Sequence, residues 1–182
     1  MTKIHEQISN LQTSLTETLI AIDYRFALLA EKELAKRFKP LVFFYRLLDD
    51  YAVLKIAILI DTKDSFHVQK PYLRLLSDPR ICRLLTVKQV EAIRSQNKAL
   101  EDLLMTEFAS KLTKVRNKYL AHNDLFRRQS ELIDIHELNE FVVSIIKVLN
   151  ATCNELGLST IPKKSLSTNS LDDLICALKN SR

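Results

Sequence analysis

Only one glycine, Gly157, occurs among the 182 residues of the chain, and this scarcity is the strongest constraint on its fold. Phosphate-cradling loops and dinucleotide-binding turns need several glycines, because backbone N–H groups must approach the ligand closely. P-loop and Rossmann-type chemistry are therefore excluded. Four prolines and a hydrophobic fraction of 47% favour helices joined by short connections over strands.

Apolar residues recur at spacings of three or four along most of the chain, which is the period of one helical face. The pattern predicts four main helices, at about 2–38, 41–60, 86–120 and 134–156, and short helical turns at about 72–85. Lys39-Pro40 is expected to separate the first two, Thr86 to cap the third, and Gly157 to end the fourth. The expected fold class is all-α: an up-and-down bundle of four main helices plus short accessory helices.

The second of these helices is apolar on most of its faces, which predicts a place in the centre of the core or in a subunit interface. The expected domain is a helical bundle over residues 1–157. Residues 158–169 are rich in Ser, Thr and Lys, which predicts a polar connector. A short C-terminal helix, capped by Ser170, is expected to follow within the segment that ends at residue 182.

The cysteines are three and widely spaced, so they match neither a zinc pattern nor a disulfide framework. Histidines other than His122 are scattered, and no metal and no cofactor is expected. The N-terminus lacks a secretory apolar core, and the most apolar segment is shorter than the roughly 20 residues of a spanning helix. The expectation is a soluble cytoplasmic protein with no membrane association.

Positive charge concentrates between Lys111 and Arg128, where six cationic residues face a single acid, Asp124. A local positive field of this kind favours an anionic polymer such as RNA. The alternative is that these side chains complement a helix C-terminus and stay solvated. The candidate RNA-binding residues in this segment are Lys114, Lys118, Arg127 and Arg128.

Within the basic segment, Arg116, Asn117 and His122 form a candidate catalytic group near the end of the third predicted helix. A guanidinium neutralises a phosphate through paired N–H donors, and an imidazole moves protons near neutral pH. The structural alternative is that Arg116 pairs with a carboxylate from another helix and that His122 caps its helix. Asp61, at the end of the second predicted helix, is either a partner that supports Arg116 or a residue that shapes the connection after that helix. Tyr119 follows the apolar stripe, so it belongs either to the core or to a base-stacking surface.

The segment 116–124 (RNKYLAHND) resembles the motif of the HEPN superfamily (higher eukaryote and prokaryote nucleotide-binding domains), in particular its abortive-infection branch. Members are all-α bundles in which an arginine, often followed by a polar residue, precedes a histidine by five to seven positions. Helix order is compatible from about Leu11 to Leu156. Related toxins carry a tyrosine two positions after the histidine; here Asp124 stands there, which puts control through such a tyrosine in doubt.

The resemblance implies a metal-independent endoribonuclease that acts as a homodimer, with two motifs meeting in a cleft between protomers. By carry-over, Arg116, Asn117 and His122 correspond to the arginine, polar residue and histidine of the family. RNA is the implied substrate, cut to 2′,3′-cyclic phosphate ends, in phage defence or as a toxin with a cognate antitoxin protein. Two alternatives stay open: a non-catalytic module that binds RNA, a nucleotide or a partner protein, and a purely structural helical adaptor.

Overall fold

The computed structural model describes residues 2–64, 66–122, 133–162, 173, 175–177 and 179–180, with only the backbone described at 32, 35 and 118–122. All regular structure in these residues is helical, so the predicted all-α bundle is confirmed. The helices in chain order are α1 (Thr2–Ala30), α2 (Lys32–Arg37), α3 (Lys39–Ile60), α4 (Lys70–Ser77), α5 (Pro79–Cys82), α6 (Val87–Leu104), α7 (Glu107–His122) and α8 (Ile135–Glu155). None of the described helices is both long and apolar enough to cross a bilayer.

Helices α1 and α3 pack antiparallel along their length. Arg25, near the end of α1, pairs with Asp49 at 2.8 Å, whereas Glu17, further back in α1, pairs with Lys55 at 2.7 Å. The predicted first helix is wrong in its length, since α1 ends at Ala30 and the short α2 follows. In one continuous helix Leu28 and Leu34 would point about 120° apart. The break lets both enter the same small cluster, with Leu41 and Ile175.

The predicted third helix is also wrong in its length, because it divides into α6 and α7 at Met105-Thr106. The side chain of Thr106 donates to the carbonyl of Leu103 at 2.8 Å and accepts from the N–H of Ala109 at 3.3 Å, so it starts a new helix. Met105 is 80% exposed in the turn. Because the chain turns back here, α7 packs against α3, and Phe108 contacts Phe141 of α8.

Helix α8 lies between α1 and α6 in the main core, and its predicted extent is confirmed. The side chain of Asp134 caps its N-terminus by accepting the N–H of His136 at 2.6 Å. Inside the core, the Thr152 hydroxyl lies 3.0 Å from the Tyr72 hydroxyl and 2.7 Å from Gln96 Oε1, which joins α8 to α4 and α6 through polar contacts. Burial raises the pKa of Tyr72 well above its ordinary value.

After α8 the chain turns back onto the bundle. Asn150 and Ile161 exchange two hydrogen bonds, at 2.9 and 2.8 Å, and Ile161 is buried in the main core. Ile175 is buried in the small cluster. The predicted N-cap Ser170 lies outside the described residues, and the proposed domain boundary after residue 157 stays a prediction.

Gly157 ends α8 with a left-handed backbone, φ +66°, as the sequence predicts. The N–H of Leu158 then reaches the carbonyl of Cys153 at 2.8 Å. We expect Gly157→Ala to lower the free energy of unfolding by about 1 kcal/mol, because an L-residue is strained in this conformation even where its Cβ meets open space. Urea unfolding checks this, with Ser159→Ala as the control. An unchanged midpoint for Gly157→Ala would contradict the left-handed cap.

Candidate functional site

Helix α7 carries Arg116 to the C-terminal end of α3. There Arg116 Nη1 donates to Oδ2 of Asp61, the residue that caps α3. The two side chains are only 18% and 11% exposed, so the ion pair joins two helices in a largely dehydrated environment. The hypothesis that Asp61 is the partner of Arg116 is therefore confirmed.

The ion pair leaves part of the guanidinium unused. Arg116 Nε is buried, and no described residue accepts its N–H. Asp61, by contrast, also accepts the backbone N–H of Lys63 at 3.0 Å through its other oxygen. A guanidinium has five N–H donors in a fixed plane. Asp61 therefore holds the plane of Arg116 in place, while the buried Nε donor has no acceptor among the described residues.

Asn117 and Lys114 are both exposed on α7. Consecutive helical residues point about 100° apart, so Asn117 projects away from the direction of Arg116. No hydrogen bond among the described residues joins the two side chains. Asn117 is thus placed to meet a ligand from solvent. Lys114 lies two residues before Arg116 and adds an exposed positive charge to the same helix.

His122 is the last residue of α7, so the helix continues to the position where the sequence pattern places its end. Six residues of continuous helix separate Arg116 from His122, a rise of about 9 Å and a rotation of about 120°. Within one protomer, the two residues therefore lie on different faces of α7. For Lys118 and His122 only the backbone is described, and Arg127 and Arg128 lie outside the described residues.

A second histidine, His67, lies near Asp61, and no sequence pattern singled it out. The chain after α3 folds back, so that the N–H of Val68 donates to the carbonyl of Leu59 at 2.8 Å. His67 is only 9% exposed, and its Nδ1 is buried without a partner among the described residues. No spacing rule marks this histidine; the one available signal is its position six residues after Asp61.

Burial lowers the pKa of His67 below its ordinary value of 6.5, and the nearby Lys70 acts in the same direction. Asp64 and Asp61 oppose this shift, because negative carboxylates favour the charged imidazole. At neutral pH His67 is therefore an uncharged imidazole near the Asp61 and Asp64 carboxylates. Such a group accepts or donates a single hydrogen bond without adding charge.

We expect the free energy of unfolding to fall on acidification, because the unfolded chain takes up a proton at this histidine before the folded chain does. The contribution is complete above the unfolded pKa of 6.5 and is lost as the pH falls below it towards the lower folded pKa. Urea unfolding between about pH 7 and pH 5 measures the effect, over the range in which an ordinary histidine titrates. His67→Gln should flatten the curve, whereas His5→Gln, at an exposed position, should not. Parallel curves for wild type and His67→Gln would contradict the assignment.

No group of three or more His, Cys, Asp or Glu side chains suited to a metal ion occurs in the described part of the chain. The site as described therefore consists of one anchored guanidinium, its carboxylate, a neutral buried imidazole and exposed polar residues on α7. In comparisons with known proteins, no family model, no curated protein and no solved structure matches this chain significantly.

Proposed function

We propose that this chain is a metal-independent endoribonuclease of the HEPN type, active as a homodimer in the cytoplasm. One observation supports the proposal above all: Arg116 is held at the end of α3 by Asp61, with its Nε–H buried and without an acceptor in the described part of the chain. A buried donor without a partner is costly, so the arrangement favours a ligand that accepts from it. The phosphate of an RNA linkage has oxygen acceptors of the right kind.

The proposed reaction is attack by a ribose 2′-hydroxyl on the adjacent phosphorus. The bond from the 2′ oxygen to phosphorus forms, and the bond from phosphorus to the 5′ oxygen breaks. One imidazole takes the hydroxyl proton and a second gives a proton to the departing 5′ oxygen, so the products are a 2′,3′-cyclic phosphate and a 5′-hydroxyl. Arg116 would donate to the phosphoryl oxygens as their charge increases.

Two copies of His122 serve this scheme better than one. Since the positions of Arg116 and His122 are about 120° apart around the axis of one helix, a site that uses both gains from a second α7 across an interface. One imidazole then acts as base and the other as acid. Asn117 and Lys114, both exposed, would hold the flanking backbone together with Lys118, Arg127 and Arg128.

A second function is favoured by the same ion pair. A guanidinium neutralised by Asp61 carries less net charge towards a phosphate than one that has no carboxylate partner. The chain would then be a non-catalytic module that binds RNA, a nucleotide or a partner protein such as an antitoxin. In that case binding would persist without cleavage.

The proposal is tested on purified protein with a mixed RNA pool in the presence of EDTA. We expect cleavage to persist, the products to carry cyclic phosphate ends, and a DNA pool of equal length to stay intact, because DNA lacks the nucleophile. Cleavage that EDTA abolishes would overturn the proposed mechanism. RNA binding with no cleavage under any condition would favour the binding module.

A further inference from the structure

A stripe of large apolar side chains on α3 faces solvent. Its members recur at alternating spacings of three and four residues, and they are Phe44, Leu47, Tyr51, Leu54 and Ile58. Four of them are well exposed: Phe44 is 39%, Leu47 47%, Tyr51 43% and Ile58 37% exposed, and Leu54 is half-buried. The opposite face of α3 is buried against α1 and α7. We call these five residues the α3 stripe.

The spacing of the α3 stripe has the period of a coiled-coil seam. Apolar residues at alternating intervals of three and four repeat every 3.5 residues and allow two helices to pack along their length. In the heptad notation of coiled coils, Phe44, Tyr51 and Ile58 occupy a positions, and Leu47 and Leu54 occupy d positions. Scattered exposed apolar residues need no partner, but a continuous row of this size marks an interaction site.

The residues that flank the α3 stripe indicate which occupant it takes. Phe43 and Asp50 lie on one flank, and Leu48 and Lys55 lie on the other. In a parallel pair of helices, a residue of the first flank meets the residue five positions later on the second flank of the partner. Phe43 would then meet Leu48, and Asp50 would meet Lys55. An antiparallel pair centred on Tyr51 would instead bring Asp50 against its own copy.

We infer that α3 pairs in parallel with the α3 of a second copy of this chain, along the α3 stripe. The pairing of the two helices does not rest on the proposed ribonuclease activity. Only the use of the two Arg116–Asp61 pairs in one dimer rests on that proposed function. A two-fold axis along α3 places both α3 C-termini at the same end of the dimer. The two Arg116–Asp61 pairs then lie at that same end, one on each side of the axis.

Tyr51, at the centre of the α3 stripe, is already held in place. Its hydroxyl donates to Glu17 Oε2 at 3.2 Å, and Lys55 Nζ binds the same oxygen at 2.7 Å while lying 5.6 Å from the centre of the Tyr51 ring. Little side-chain freedom is left to lose on association, which favours a tyrosine as an interface anchor. Lys55 keeps Glu17 as a neighbour and would gain Asp50 of the second copy on its other side.

The mass of the full chain in solution tests the pairing. Sedimentation equilibrium should show wild type as a dimer and Leu47→Glu as a monomer, with a dissociation constant weakened by at least about 100-fold, since a buried unpaired charge costs several kcal/mol. Met105→Glu is the matched control, because Met105 is 80% exposed and lies in the turn between α6 and α7, outside the stripe. A circular dichroism spectrum checks that each variant folds. Dimers that persist in a folded Leu47→Glu would overturn the inference.

Cysteine cross-linking tests the direction of the pair. In a Cys176→Ser background, Phe44→Cys alone and Ile58→Cys alone should each form a covalent dimer under mild oxidation. In an antiparallel pair the two copies of Ile58 would lie about 20 Å apart, and only a mixture of the two variants would cross-link. Cross-links found only in the mixture would overturn the parallel arrangement. RNA cleavage is measured separately, so a dimer without cleavage contradicts the proposed function and leaves the pairing intact.

Discussion

His122→Ala lowers the rate of RNA cleavage by about 10²–10⁴-fold, if His122 transfers protons as proposed. The substitution lies in the last turn of α7, where helix ends fray, so we expect the free energy of unfolding to change by less than about 1 kcal/mol. Cleavage of a short fluorescent RNA at saturating concentration measures the rate, and urea unfolding measures stability. The result separates a loss of chemistry from a loss of fold.

The control for this substitution is His5→Ala, since His5 is an exposed histidine on α1, outside the proposed site. Its cleavage rate should equal that of wild type. RNA affinity should be almost unchanged in His122→Ala, because the backbone is gripped mainly by cationic side chains. A His122→Ala variant that cleaves RNA at the wild-type rate would remove this histidine from the mechanism.

Arg116→Ala is expected to reduce the free energy of unfolding by about 3 kcal/mol, because it leaves the Asp61 carboxylate largely buried without its cation. Asp61→Ala should cost a similar amount, and the double variant should cost less than the sum of the two. A double-mutant cycle in urea gives the coupling energy, for which we expect about 1–3 kcal/mol. Cleavage should be lost in Arg116→Ala in addition to this stability effect.

The exposed pair Lys98–Asp102 on α6 provides the matched control for this cycle. Its side chains are 65% and 62% exposed, so its coupling energy should be much smaller than that of the Arg116–Asp61 pair. Equal coupling in both pairs would contradict the view that the Arg116–Asp61 contact is dehydrated. Strong coupling together with full cleavage activity in a folded Arg116→Ala variant would make the pair purely structural.

The helices that depend on local pattern were predictable. The apolar repeat and the cap Asp134 define α8, and the lone glycine ends it. The points at which a long apolar repeat breaks into two helices were not predictable. The repeat continues through Met105-Thr106, yet the chain turns there, because Thr106 caps a new helix whose apolar face packs on α3 instead of continuing along α8.

The candidate site was predictable only in part. Arg116 stands out because it lies in a dense basic segment, and Asp61 was a reasonable candidate for its partner because it follows an apolar helix. The buried position of His67 was not predictable, since it depends on the chain after α3 folding back so that Val68 bonds to Leu59. The exposure of the α3 stripe was equally hidden, because α3 reads as apolar on most faces and only packing selects the face that stays in solvent.

By itself the sequence determined the helical class and the main helix ends that carry caps. It also determined which basic, amide and imidazole side chains lie close to Arg116 along the chain. All of these depend on neighbours within one or two helical turns. The tertiary structure alone decided that α7 returns to α3, that Asp61 binds Arg116 there, and that one row of α3 is left uncovered. The reason is that each of these joins residues from separate helices. Such contacts follow from which apolar faces pack together, and the periodicity of a single helix does not specify its partner.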